Sequence, residues 1–198
     1  MRADFKTARR DAGRAAILDA AEACARKGKP LQMGELAEEA GIAVGTVYRY
    51  FDGKQGLEDD LIARMLTSFT TRVEETHDPD ANPAKRLDTL LRAICRAALD
   101  HLGALNLFME RSTWSQLGTD HVVAGEAKKA YARYEKVENE ILALTKLKRV
   151  RKETLLIFLR ASLMAGLTRL GESTAREQRE RIDEIVRLTT QGLLGCTQ

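Results

Sequence analysis

The stretch Leu36–Lys54, LAEEAGIAVGTVYRYFDGK, decides the fold. Leu36, Ala37 and Ala40 share one helical face, and Gly41 follows where that helix must stop and the backbone must turn through positive φ. A second helix then crosses the first, with Ile42 and Val47 as apolar anchors between them and Ala37 small enough to let the backbones approach. This is the spacing of a helix-turn-helix, the geometry that holds a second helix against a DNA groove. With Val47 inward and about 100° per residue, Gly45 and Arg49 point outward, Thr46 and Tyr48 flank them, and Val44 and Phe51 turn back inward. The outward face is small, hydroxylated, aromatic and cationic. Arginine forks onto guanine, a threonine methyl or tyrosine ring meets thymine methyls, and glycine lets the backbone come close. Lys54 arrives as the next helix begins, where free amides and the positive dipole end favour a phosphate. The residues expected at DNA are Val44, Gly45, Thr46, Tyr48, Arg49, Tyr50 and Lys54.

The run GIAVGTVYRYFDGKQGL, Gly41–Leu57, resembles the DNA-reading segment of the tetracycline-repressor (TetR) family. Members of that family carry a Gly-apolar turn, a short helix with Thr-apolar-Tyr-x-Tyr-Phe and a lysine soon after. The resemblance covers the first third of the chain strongly and the remainder by length and helix pattern. It implies an all-α fold, with an N-terminal three-helix DNA-binding module at residues 1–54 and a C-terminal helical effector-binding and dimerisation domain at 55–198. It further implies a cytoplasmic, homodimeric transcriptional regulator, not an enzyme and without cofactor or metal. Such a protein acts as a repressor released from a palindromic double-stranded operator by a small, mostly apolar effector. Two features depart from the family pattern. Cys24 and Ala25 stand where a large aromatic closes the first helix, and Gly34 offers neither a capping hydroxyl nor a base-reading arginine. The missing cap costs about 1 kcal/mol of helix stability.

Composition narrows the class. With 198 residues, 44% hydrophobic and 31% charged, the chain can bury a real core. A net charge of +3 is far from that of a polycation, so any nucleic-acid footprint comes from local clustering. Up to Lys29 eight basic residues face four acidic ones, with Arg9 and Arg10 on the leading arm. Cys24, Cys95 and Cys196 are odd in number and widely spaced, which fits reduced thiols rather than a zinc or redox motif. No hydrophobic run follows Met1, and the most apolar stretch, Thr154–Gly171, is short and contains Arg160 and Arg169, so neither a signal nor a membrane span is expected.

Taken in order, a loose arm to about Lys6 leads into a helix with the stripe Ile17, Leu18, Ala21 and Cys24, ending near Gly28 and Pro30. From Gly56, Leu57, Leu61, Met65, Phe69 and Val73 mark a long amphipathic helix. Asn82 and Pro83 supply cap and first-turn proline for the next, with Leu87, Leu90, Leu91, Ile94, Ala98 and Leu102 ended by Gly103. A shorter helix, Leu105–Leu117, ends at Gly118. A longer one after Asp120 carries Val123, Ala127, Ala130, Tyr134, Val137, Ile141 and Leu144 on one seam. The basic run Lys146–Lys152, KLKRVRK, reads as a solvated loop. The helix Thr154–Leu170 is apolar nearly all round and must bury against more than its own core, with Ala161, Ala165 and Gly166 permitting close helix contact. Thr174 and Glu177 form a capping box for the last helix. In the family the final two helices pair with their copies in a four-helix bundle, which places Leu163, Leu167, Leu170, Ile182, Ile185, Val186, Thr189 and Leu193 at the subunit contact. Apolar pockets with a few polar groups take such effectors. Phe108, Met109, Trp114, Tyr131, Tyr134 and Phe158 are the expected lining, with His101 or Arg111 orienting a polar end.

Two other classes share parts of this pattern. A carboxylate-bridged metal bundle needs paired Glu-x-x-His motifs, and Glu74 with His77 is a single one; neither His101 nor His121 has Glu three residues before it. A helical adaptor with a vestigial helix-turn-helix would bind protein instead of DNA.

Overall fold

The computed structural model describes residues 2–198 apart from 77, 79, 115–124, 146, 148–149, 168–172 and 196–198. Side chains are described from residue 10 onward, apart from 112–114, 164 and 165 within helices. Among the described residues the regular structure is entirely helical: α1 (Arg2–Arg26), α2 (Met33–Glu39), α3 (Val44–Tyr50), α4 (Gly53–Thr76), α5 (Pro83–Asp100), α6 (Leu102–Trp114), α7 (Gly125–Ala143), α8 (Lys152–Leu167) and α9 (Ala175–Leu194). No helix among them is long and apolar enough to cross a membrane. The chain divides into two compact units, one of Met1–Arg64 with Gly103–Lys128, the other of Met65–Leu102 with Lys129–Gln198.

In the first unit α1 begins at Arg2, where a loose arm to Lys6 was expected. No proline or glycine interrupts residues 2–12, so nothing stops the helix from running through. Its stripe Ile17, Leu18, Ala21 and Cys24 is buried, as are Leu36, Val47, Leu57, Leu61 and Ile62. Each such side chain contributes about 1.5–3 kcal/mol of burial. In place of the family's aromatic, the Cys24 thiol donates to the Glu39 carboxylate of α2 at 3.4 Å. Gln32 gives α2 no side-chain cap, and its other end closes as a Schellman turn. There the Ile42 N–H donates to the Ala37 carbonyl at 2.9 Å and the Gly41 N–H to that of Glu38 at 3.1 Å, with Gly41 at φ 66°.

Gly103 is not the stop of α5, which ends at Asp100; it lies in the first turn of α6. A Cβ there would stand 2.6 Å from the Glu22 carbonyl oxygen and 2.8 Å from Ala25 Cβ. Glycine is needed for close approach of α6 to α1, not for termination.

In the second unit Asn82 accepts from the Lys85 N–H at 2.9 Å with Pro83 in the first turn, as its sequence implies. Leu87, Leu90, Leu91, Ile94 and Ala98 face the core, where α5 packs on α8 and α9. The α7 seam of Ala130, Tyr134, Val137 and Ile141 is buried, and Ala127, in the first unit's part of that helix, is buried too. Helix α8 resolves its surplus of apolar residues by facing two ways. Leu155, Leu159, Leu163 and Leu167 are buried, while Ile157 and Phe158 stand in solvent. Gly166 and Gly192 let α8 and α9 approach: Ile185 lies over the first and the Phe158 ring over the second. Thr174 caps α9 in a complete capping box with Glu177, whose carboxyl is held below the usual range by the Thr174 N–H and hydroxyl. Arg160 forks onto the buried Glu138 at 2.8 and 2.6 Å and donates to the Tyr131 hydroxyl at 2.6 Å, which satisfies the polar groups between α7 and α8.

Candidate nucleic-acid interface

Helix α3 is short because Gly41 and the extended residues Ala43 and Phe51 bracket it. Its orientation is set at both ends. Val47, fully buried, anchors the middle, and Phe51 is buried with the Arg14 guanidinium 5.5 Å over its ring. Arg14 in turn is paired with Asp60 on α4. Burial pushes the Asp60 carboxyl up, and Arg14 opposes that rise. Tyr50 is half-buried with its hydroxyl over Gly13, where a Cβ would come within 2.6 Å. Tyr50 thus braces α3 against α1.

The remaining residues expected at DNA form the open face. Gly45 has nothing within 4 Å of where a Cβ would stand, so a backbone or base can approach it. Tyr48 is 56% exposed and Val44 43%, although Val44 was expected to turn inward; the extended Ala43 sets the first turn of α3 away from the core. Arg49 is exposed and reaches back one turn to the Thr46 hydroxyl at 3.3 Å, which presents the guanidinium and the threonine on one face. Lys54 lies in the first turn of α4, its ammonium 3.7 Å from Glu58 and about half exposed. A surface pair of that kind is worth little, so Lys54 remains available to a phosphate. A cleft of about 480 Å³ opens beside Lys54, lined in part by Lys29, Glu58, Asn106 and Met109.

The expected effector residues are placed as follows. Phe108 and Met109 are half-buried in α6, and Arg111 is engaged by the Asp59 carboxylate at 2.6 Å. The side chain of Trp114 lies outside the described residues. His101 is half-buried as the C-cap of α5. Tyr131 and Tyr134 are buried in the second unit, Tyr134 edge-on to Phe69 with ring centroids 5.8 Å apart, and Phe158 is 41% exposed. Of the residues expected at the subunit contact, Leu163, Leu167, Ile182, Ile185, Val186, Thr189 and Leu193 are all buried within the single chain, while Leu170 lies outside the described residues. Among the described residues, the large apolar side chains that α8 and α9 leave in solvent are Ile157 at 51%, Phe158 at 41% and Leu188 at 59%. Helical periodicity found the stripe that closes the subunit core, and it passed over Ile157 and Leu188 because they break that stripe. His77, His121 and Cys196 also fall outside the described residues.

Residues 17–61 match the family described as bacterial regulatory proteins, tetR family. Over 83 residues the chain is 41% identical to the HTH-type transcriptional repressor KstR of Rhodococcus jostii, a match covering 41% of this chain and 38% of that protein. The matched part is thus well under half of the relative's length. The fold is similar to that of the ketosteroid transcriptional regulator KstR2 of Mycobacterium tuberculosis, with TM-score 0.69 and 17% identity over 92% of this chain and 95% of that one. It is also similar to the TetR-like regulator LfrR of Mycobacterium smegmatis in complex with proflavine, with TM-score 0.66 and 21% identity over 94% and 99% of the two chains.

Proposed function

We propose, from the match of residues 17–61 to the tetR family of bacterial regulatory proteins, that the chain is a one-component transcriptional repressor of that family. It binds a palindromic operator as a homodimer and leaves it when a small, mostly apolar effector binds. The observation that carries this reading is the open face of α3, where Val44 and Tyr48 stand in water beside Thr46, Arg49 and Lys54. Thymine methyls suit the first two, guanine suits Arg49, and phosphates suit Lys54 and the free amides that begin α4. Tyr50 acts from behind, through its brace on Gly13.

Residues 1–54 are the reading module and residues 55–198 carry the effector and dimer functions. Ile157, Phe158 and Leu188 form the subunit contact, since among the described residues they are the large exposed apolar ones on the helices that the family uses for pairing. Two of the similar regulators support an apolar effector: one is a ketosteroid regulator and the other is seen with proflavine. Tyr131 and Tyr134 are the candidate effector contacts in the second unit.

The test is a mobility-shift titration with the DNA upstream of the protein's own gene at rising salt. A saturable shift that weakens steeply with ionic strength is expected, because neutralised phosphates release counterions. No shift on that DNA or on neighbouring promoters, with a folded dimer in hand, would favour the protein-binding adaptor instead.

A further inference from the structure

One turn of α1, Leu18–Glu22, grips the chain at two places where it leaves or re-enters the first compact unit. That unit's first segment ends at Arg64, which donates to Asp19 Oδ1 at 2.6 Å and to the Leu18 carbonyl at 3.2 Å. Its second segment begins at Gly103, whose N–H donates to Glu22 Oε1 at 2.7 Å, while the N–H of Ala104 donates to Oε2 at 3.0 Å. Both oxygens of a buried carboxylate are therefore spent on the first turn of α6. The positive end of that helix and Arg26, 3.9 Å away, offset the charge. A buried carboxylate is costly unless every oxygen is satisfied, and an apolar residue of similar size would pack there without that cost. The same helix α1 is bonded to the reader: Arg14 covers Phe51 and pairs with Asp60, and Gly13 receives Tyr50.

We propose that Glu22 is a positioning residue for DNA recognition. Its two bonds to the re-entering chain hold α1, and through α1 the reader, in the orientation that separates operator from other DNA. The inference rests on the DNA-reading function proposed above.

A merely structural Glu22 would lower the active fraction of protein, and so weaken binding to all DNA alike. A positioning role changes the ratio between sequences. The probe is a duplex enriched from a random pool by the unaltered full-length chain, compared with a shuffled duplex of the same length. Glu22→Ala should lower the affinity ratio of enriched to shuffled duplex by about tenfold or more, with shuffled binding nearly unchanged, and Glu22→Gln, which keeps one acceptor, should fall between. Equal losses on both duplexes, or none in a folded variant, would overturn the proposal. Should Glu22→Ala not fold, hydrogen exchange at the Gly103 and Ala104 amides of the unaltered chain decides the matter. Exchange about tenfold slower on the enriched duplex than on the shuffled one is expected, and equal rates on both would overturn it. If the unaltered chain enriches no duplex at all, the DNA-reading function itself fails, a result separate from these.

Discussion

Helix α3 and the outer face of α8 and α9 both hold apolar side chains in water, yet their surroundings differ. On α3 the exposed Val44 and Tyr48 share their surface with Thr46, Arg49 and a glycine that leaves open space. On α8 and α9 the exposed Ile157, Phe158 and Leu188 have Ala161 beside them, and the nearby Arg160 is folded away onto Glu138 and Tyr131. Exposed apolar area alone says that something covers it. Arg49 and Lys54 beside Val44 and Tyr48 suit a phosphate-bearing partner, whereas the adjacent Ile157, Phe158 and Ala161 suit another apolar protein surface.

The largest effect should separate the inner from the outer face of the last two helices. Leu163→Glu buries an unpaired charge in the second unit and should cost about 4 kcal/mol or more, whereas Leu188→Glu should leave the fold within about 0.5 kcal/mol and turn the dimer into a monomer by light scattering. Cys95 reports on the first of these. Burial pushes its thiol up to about 12, so in a Cys24→Ser, Cys196→Ser background it should react with a thiol reagent near pH 8 only where the second unit opens. Fast labelling in Leu163→Glu and slow labelling in Leu188→Glu is the expected pattern. A dimer that survives Leu188→Glu and Phe158→Glu together would place the contact elsewhere.

Next in size is Gly41→Ala, which forces a side chain into the left-handed region at φ 66° and should destabilise the helix-turn-helix by about 1–2 kcal/mol. Binding and the melting of the first unit should fall together. Lys54→Ala should weaken enriched and shuffled duplexes alike and lower the salt slope by about one; a loss confined to one sequence would make Lys54 a base reader. Smallest is Thr174→Ala, at about 1 kcal/mol for the lost cap. The Glu177 carboxyl is lower in the folded chain than in the unfolded one, so its share of that stability is present above the unfolded value and fades as pH falls through the folded value. Acid titration of melting temperature should therefore narrow the gap between Thr174→Ala and the unaltered chain without closing it, because the Glu177 N–H bond to the Thr174 hydroxyl survives protonation of the carboxyl. Thr174→Ala should leave DNA binding unchanged.

The helix-turn-helix, the capping box and the Asn82–Pro83 start were legible because each rests on residues a few positions apart. Gly41, Thr174 with Glu177, and Asn82 do in the fold what their spacing implies. Non-local features were not legible. Gly103 reads as a helix stop, and its purpose appears only when α1 lies against it; Glu22 reads as one more surface acid until its oxygens meet the amides of residues 81 and 82 positions away. Periodicity likewise reports that one helix face is buried without saying whether the same chain or another buries it, which is how Ile185 and Val186 came to be expected at a subunit contact.

The central claim, that α3 reads base edges with Arg49 as its fork, is tested most directly by comparing duplexes enriched from a random pool by the unaltered chain and by Arg49→Ala. The account predicts an inverted repeat with half-sites about one helical turn apart or somewhat more for the first. For the second it predicts the same repeat with one guanine preference lost at symmetric positions in each half, a discrimination of about 1–3 kcal/mol. An unrepeated site, or identical base preferences from both proteins, would contradict it.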